Sequence, residues 1–259
     1  MLYHQDMNLA RPVAAMRSIV DPLQVSRFLQ VYDDAAVQKG IKVSIGFNFD
    51  EYVSITRATP TKGPTYPSFV PHRSPITLGE GYWLMGVDKN NEVVLLEAAR
   101  LFDLSHSNFA EHLESLKAFY ADPTVHAHPQ DRCTCIAPSA KKMTGKVAYH
   151  GDRWVRRDLR GQGITRIMTG IARGVSFAMW APDFLCALVA GRRLDKGRVY
   201  GYAHYEPGGA KLQLMEGGVV DDDWLVWLTS DELRSLVDRQ DISELNVGSS
   251  FPPTSASCT

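Results

Sequence analysis

The stretch from Lys146 to Ala190 constrains this chain most, because it reads as strand, glycine turn, long helix and strand in unbroken succession. Ile164, Ile167, Met168, Ile171, Ala172, Val175 and Met179 recur at helical spacing and predict a strongly amphipathic helix. Val147, Tyr149, Trp154 and Val155 before it are strand-like, and after Pro182 the apolar run DFLCALVA returns as a second strand. Between strand and helix, Arg160, Gly161, Gln162 and Gly163 form a turn that only small residues allow. A strand that feeds through glycines into a helix start presents backbone amides at the positive end of the helix dipole. That geometry suits a pyrophosphate, and Arg160 adds a charge-assisted contact. The same spacing is also met in a tight strand-to-helix turn that binds nothing. A dinucleotide fold is disfavoured, since Arg166 stands where the third glycine of G-x-G-x-x-G belongs.

Composition bounds the function classes. The 259 residues carry 28 Lys+Arg against 29 Asp+Glu, a formal net charge of -1, which argues against a nucleic-acid partner. Arg153, Arg156, Arg157, Arg160, Arg166 and Arg173 nevertheless crowd the central segment and predict one local basic mouth. Four cysteines are too few for a disulfide scaffold and suit a reducing compartment, so a cytoplasmic location is expected. The start has no basic n-region followed by an apolar run, and no apolar run approaches the ~20 residues that span a bilayer, so neither a secretory signal nor a membrane partner is expected.

Around the central segment, residues 1–40 read as an arm followed by a helical extension, with Asp21 as N-cap, Pro22 at the first helical position and Gly40 as the stop. Residues 41–47 alternate as a strand, while 48–56 fit either a helix or more strand. Five of the 14 prolines fall within 58–75, which predicts a long structured loop; Tyr66, Phe69, His72 and Arg73 suit a loop that lines or covers a site. Residues 81–88 and 92–104 predict a hairpin about Lys89, Asn90 and Asn91, the second strand being central. A helix is expected over 107–121, a polar linker or surface loop over 122–146, a strand over 224–228 and a short helix from Ser230 to Arg239. The tail 247–259 reads as disordered, leaving one main domain over 41–246.

The run Val155, Arg156, Arg157, Asp158, Leu159, Arg160, Gly161, Gln162, Gly163, Ile164, Thr165 resembles the acyl-CoA-binding motif of the GCN5-related N-acetyltransferases, V-x-P-x-x-R-G-x-G-I-G/A. Arg157 stands in place of the usual proline and Thr165 in place of the small residue. The resemblance implies an α+β fold (an α/β sandwich), with a mixed, mostly antiparallel sheet flanked by helices. It implies that the strand ending at Val155 splays from DFLCALVA to admit the pantetheine arm, with backbone groups of Trp154, Val155 and Arg157 pairing to it. Amides from Arg160 through Gly161, Gln162, Gly163 and Ile164 to Thr165 would hold the pyrophosphate. The implied activity is transfer of an acyl group, most simply acetyl from acetyl-CoA, to a small-molecule or peptide amine by a monomer or homodimer. An acyl-homoserine-lactone-synthase-like enzyme of the same fold and a non-catalytic acyl-CoA-binding module remain open.

Direct transfer needs a base for the amine and an acid for the leaving thiolate. Glu97 lies on an apolar strand face where desolvation would raise its pKa, and is the candidate base, against the alternative of an ion pair across the sheet. Asp152 and His150 are its rivals. For the acid, Tyr200 is chosen among Tyr200, Tyr202 and Tyr205, with core packing as the other reading. His126, His128, Cys133 and Cys135 could tempt a zinc assignment, but their x-separated spacing fits a polar loop better and no metal is expected. Asp221, Asp222 and Asp223 could attract a cationic acceptor, or form a solvated turn.

Overall fold

The computed structural model describes residues 20–191 and 201–239. Helix α1 (Pro22–Gln38) starts as expected, with the Asp21 carboxylate accepting the amides of Leu23 and Gln24. Strand β1 (Lys42–Gly46) follows, and the undecided segment proves to be helix α2 (Phe49–Ala58), capped by the Asn48 side chain. The hairpin is β2 (Gly81–Val87) and β3 (Val93–Leu104), its turn closed by amides of Asn90 and Glu92 donating to the Asp88 carboxylate.

Two expectations fail here. The helix placed over 107–121 is only α3 (Phe109–Glu114); the chain turns at Leu116, which takes a φ of 61°. The segment 122–146 is no polar linker: it holds the short helix α4 (Pro123–His126) and the edge strand β4 (Arg132–Thr134), and buries Cys133, Cys135, Ala137, Ala140 and Met143. Its apolar residues follow neither helical nor strand period, which is why the sequence hid them.

The central segment forms β5 (Gly145–Val155), α5 (Ile164–Trp180) and β6 (Phe184–Ala190). Then come β7 (His204–Leu214), which the sequence reading did not place, β8 (Val219–Thr229) and α6 (Ser230–Arg239). Asp221, Asp222 and Asp223 therefore lie inside a strand that begins well before residue 224, and not in a solvated turn.

One eight-stranded sheet runs β1-β2-β3-β5-β6-β8-β7-β4, and every pair is antiparallel except β5–β6, which α5 connects. This is the mixed, mostly antiparallel α+β arrangement expected from the sequence. Helices α1, α5 and α6 cover one face, here the back; α2, the proline-rich segment, α3 and residues 132–143 cover the other, the front. Helix α1 is no loose appendage, since it lies so close on α5 that a Cβ at Gly170 would fall 2.2 Å from the Tyr32 ring. No helix among the described residues is long and apolar enough to cross a membrane.

Candidate active site

The sheet is interrupted where its one parallel pair meets. Strands β5 and β6 pair only over Val147↔Phe184 to His150↔Ala187. Beyond that level β5 continues to Val155 paired with β3 alone, while β6 continues to Ala190 paired with β8 alone. The two halves of the sheet thus part at Gly151, and the β5 edge from Gly151 to Val155 carries no neighbouring strand among the described residues.

The glycine turn sits at the end of that open edge. Gly161 and Gly163 hold φ of 80° and 83°, where a side chain costs about 1 kcal/mol or more, and a Cβ on either would meet nothing within 4 Å. Gly163 caps α5 without any side-chain hydrogen bond, and the first turn contains no acidic residue. The amides of Gly161, Gln162, Gly163, Ile164 and Thr165 find no acceptor among the described residues. Arg160 Nε donates to the Val155 carbonyl oxygen at 2.9 Å and Gln162 Nε2 to that of Asp158 at 2.8 Å, bracing the turn from behind without filling it. Free amides at a positive helix terminus make an anion cradle.

The basic mouth is smaller than the sequence suggested. Arg156 is spent on Asp88 and Glu92 of the β2–β3 hairpin and on Asp158, at 2.8–3.0 Å. Arg153 is committed to Glu97, and Arg173, 2% exposed, lies in the core over the Tyr202 ring. Arg157 and Arg160 remain on the exposed side of the turn. Charge counted along a strand and helix overstates a site because alternate residues face the interior.

Glu97 occupies the middle of β3 opposite a bulge in β5: Leu96 pairs with Trp154 and Ala98 with Gly151, so Asp152 and Arg153 together oppose Glu97. Arg153 Nε and Nη2 donate to the two Glu97 carboxylate oxygens at 3.0 and 2.5 Å, a bidentate clamp on a residue 1% exposed. Burial pushes the Glu97 pKa up, but the charge and hydrogen bonds of Arg153, with a smaller effect of the nearby His150 ring, outweigh it and hold the carboxyl below its ordinary value. The expected raised pKa is thereby overturned, and the cross-sheet ion pair is what the structure contains. His150 shares this buried back-face cluster: its Nε2 meets Ser176 Oγ at 2.8 Å, and burial lowers its pKa, leaving a neutral ring.

Asp152 points the other way, to the front, with a φ of 52° imposed by the bulge. Its two oxygens accept from Tyr52 OH and Lys62 Nζ, both at 2.8 Å. Burial raises the Asp152 pKa, opposed by Lys62, Tyr52 and the Tyr66 amide. Lys62 and Tyr66 belong to the proline-rich segment, which packs over the front of the sheet. Arg100 holds that segment by the carbonyls of Ser68 and Pro75 and by Ser74 Oγ, and Tyr66 OH donates to Asp221 on β8 at 3.1 Å. The strap therefore spans the parting from β5 to β8. Lys62 and Tyr52 escaped the sequence reading, because no local pattern marks a lysine whose partner lies 90 residues away.

Tyr200 lies outside the described residues. Of its two alternatives, Tyr205 is 62% exposed, whereas Tyr202 is 7% exposed, its buried hydroxyl making no hydrogen bond among the described residues. Burial raises the Tyr202 pKa, so it is a protonated phenol at neutral pH. His126 and His128 are exposed while Cys133 and Cys135 are buried, so the four do not converge. Among the described residues no group of three or more His, Cys, Asp or Glu is placed to hold a metal.

No protein-family profile matches the chain, and no curated protein matches it. Several solved structures are similar in fold. Arabidopsis thaliana NAA60, crystallised with acetyl-CoA, is 13% identical with a TM-score of 0.42, the match covering 73% of this chain and 98% of that one. A spermidine N-acetyltransferase SpeG chimera from Vibrio cholerae and hSSAT is 11% identical with a TM-score of 0.44, over 76% of this chain and 99% of the other. FeeM, an N-acyl amino acid synthase from uncultured soil microbes, is 11% identical with a TM-score of 0.36, over 85% and 94% of the two chains.

Proposed function

We propose that this chain is an acyl-CoA-dependent N-acyltransferase, with acetyl-CoA as the simplest donor. The observation that carries the reading is the row of five amides at the left-handed glycine turn that have no acceptor among the described residues, set at the end of a strand edge with no described neighbour. The amides and Arg160 suit a pyrophosphate, and the open β5 edge from Gly151 to Val155, with Arg157 beyond it, suits the amides of a pantetheine arm added like a strand.

In the reaction, the nitrogen lone pair of a neutral amine attacks the thioester carbonyl carbon. The carbon–nitrogen bond forms, the carbon–sulfur bond breaks, the amine nitrogen loses a proton and the CoA thiolate gains one. Tyr202 is the proton donor in this reading, since its buried hydroxyl makes no hydrogen bond among the described residues and burial keeps it protonated. Glu97 and Asp152 already accept the donors that surround them, so proton removal falls to water at the parting of the strands rather than to either carboxylate.

The test is a thiol-release assay with acetyl-CoA and a panel of amines, alongside calorimetric titration with CoA. Amine-dependent CoA release with a matching amide product is expected. CoA binding without turnover across the panel would point instead to a binding module, and absence of CoA binding would remove the reading altogether.

A further inference from the structure

Resting on the acyl-transfer reading, we propose that the front face beside the parting is an ammonium subsite, and that the acceptor is an aliphatic diamine held there by its second, unreacting ammonium. The site is built from Asp221 on β8, Tyr66 on the strap and Tyr149 on β5, with Asp223 beside them.

Alternation along β8 puts Asp221 and Asp223 on the front face, where their pairing partners Leu212 and Ala210 pack, and turns Asp222 to the other side. Asp221 receives only the neutral Tyr66 phenol among the described residues, so no described cation answers its charge. Tyr149 provides an independent observation. Its side chain is buried to 4% exposure, stacked on Phe69 at 5.8 Å, yet its hydroxyl makes no hydrogen bond among the described residues. That hydroxyl leans along β5 over Gly151, 3.3 Å from where a Cβ would stand, toward the level where β5 and β6 part. Its pKa is raised first by burial and then by the fields of Asp223, Cys186, Asp221 and Asp152, so the phenol stays protonated and keeps a lone pair to offer.

A hydroxyl that can accept and a half-buried carboxylate with no counter-ion among the described residues together match an alkylammonium, which donates three hydrogen bonds and carries one charge. The nitrogen that attacks must be neutral, so it cannot be the one Asp221 holds; a second, charged nitrogen on the acceptor satisfies both demands.

The probe is 1,4-diaminobutane, with n-butylamine as the singly charged control. Both are titrated calorimetrically into the full-length protein, with and without saturating CoA, and used as acceptors. The diamine should bind at least ten-fold tighter than butylamine. Asp221→Asn should erase that margin and raise the diamine KM about ten-fold, leaving CoA affinity unchanged. Tyr149→Phe should weaken the diamine several-fold. Asp222→Asn, which removes the same charge from the opposite face, should change nothing. Equal affinity for the two amines, or equal effects of the Asp221 and Asp222 substitutions, would overturn the subsite. Loss of CoA binding in the parent protein would instead strike at the acyl-transfer reading, while diamine binding without CoA would still stand.

Discussion

Lys62 Nζ lies 2.8 Å from Asp152 Oδ1, and the two side chains are only 4% and 6% exposed. This pair pins the proline-rich strap to the strained bulge of β5 at the point where the sheet parts. A buried ion pair that loses one member leaves an uncompensated charge, which typically costs about 3–5 kcal/mol. Lys62→Met should therefore destabilise the fold strongly in chemical denaturation. Adding Asp152→Asn should recover part of the loss, since asparagine tolerates the left-handed φ and keeps an acceptor for Tyr52. Strictly additive losses would contradict a direct coupling.

The Glu97–Arg153 clamp carries a pH signature. The folded Glu97 pKa lies below its ordinary value of 4.5, so this group contributes stability above that pH and loses it as pH falls through the folded value. Glu97→Gln should lower stability at neutral pH and flatten the stability profile below about pH 4.5 relative to the parent. An unchanged acid limb in urea melts from pH 3 to 7 would show that Glu97 titrates normally.

Gly163→Asp tests the cradle. The substitution adds a left-handed side chain at φ 83° and an anion where the free amides converge. CoA affinity should fall at least ten-fold by calorimetry. Gly40→Ala is the matched control, because it carries the same class of strain at φ 70°, with open space around it, far from the turn in sequence. It should cost a comparable ~1 kcal/mol of stability and leave CoA affinity intact.

Tyr202→Phe removes a buried hydroxyl that makes no hydrogen bond among the described residues. Stability should hold or rise slightly, since no hydrogen bond is lost. Turnover should drop while the KM for acetyl-CoA stays level, and the loss should be smaller with a thioester whose thiol leaving group is more acidic. Equal losses with both thioesters would remove Tyr202 from the proton-donor role.

The glycine turn, the helix after it and the two strands around it were legible because each is a local matter. Period sets the buried face of α5, and two glycines in left-handed backbone turn the chain into the helix, leaving the amides of 161–165 without acceptors among the described residues. The proline density of 58–75 likewise excluded a long α-helix and a central strand without tertiary help, and the segment holds only one 3-10 turn, Pro67–Phe69.

What the sequence could not settle was where charges find their partners. Glu97 meets Arg153 across 56 residues, and Lys62 meets Asp152 across 90. Those distances along the chain decide whether a carboxylate is a base or half of a clamp, because a pKa depends on every group within several ångströms and not on the strand that bears it. The tertiary structure also moved three of six arginines away from the turn and brought Asp221 under Tyr66. The sequence alone determined a glycine turn opening a helix at the end of a strand; only the fold decided what faces it across the parted sheet.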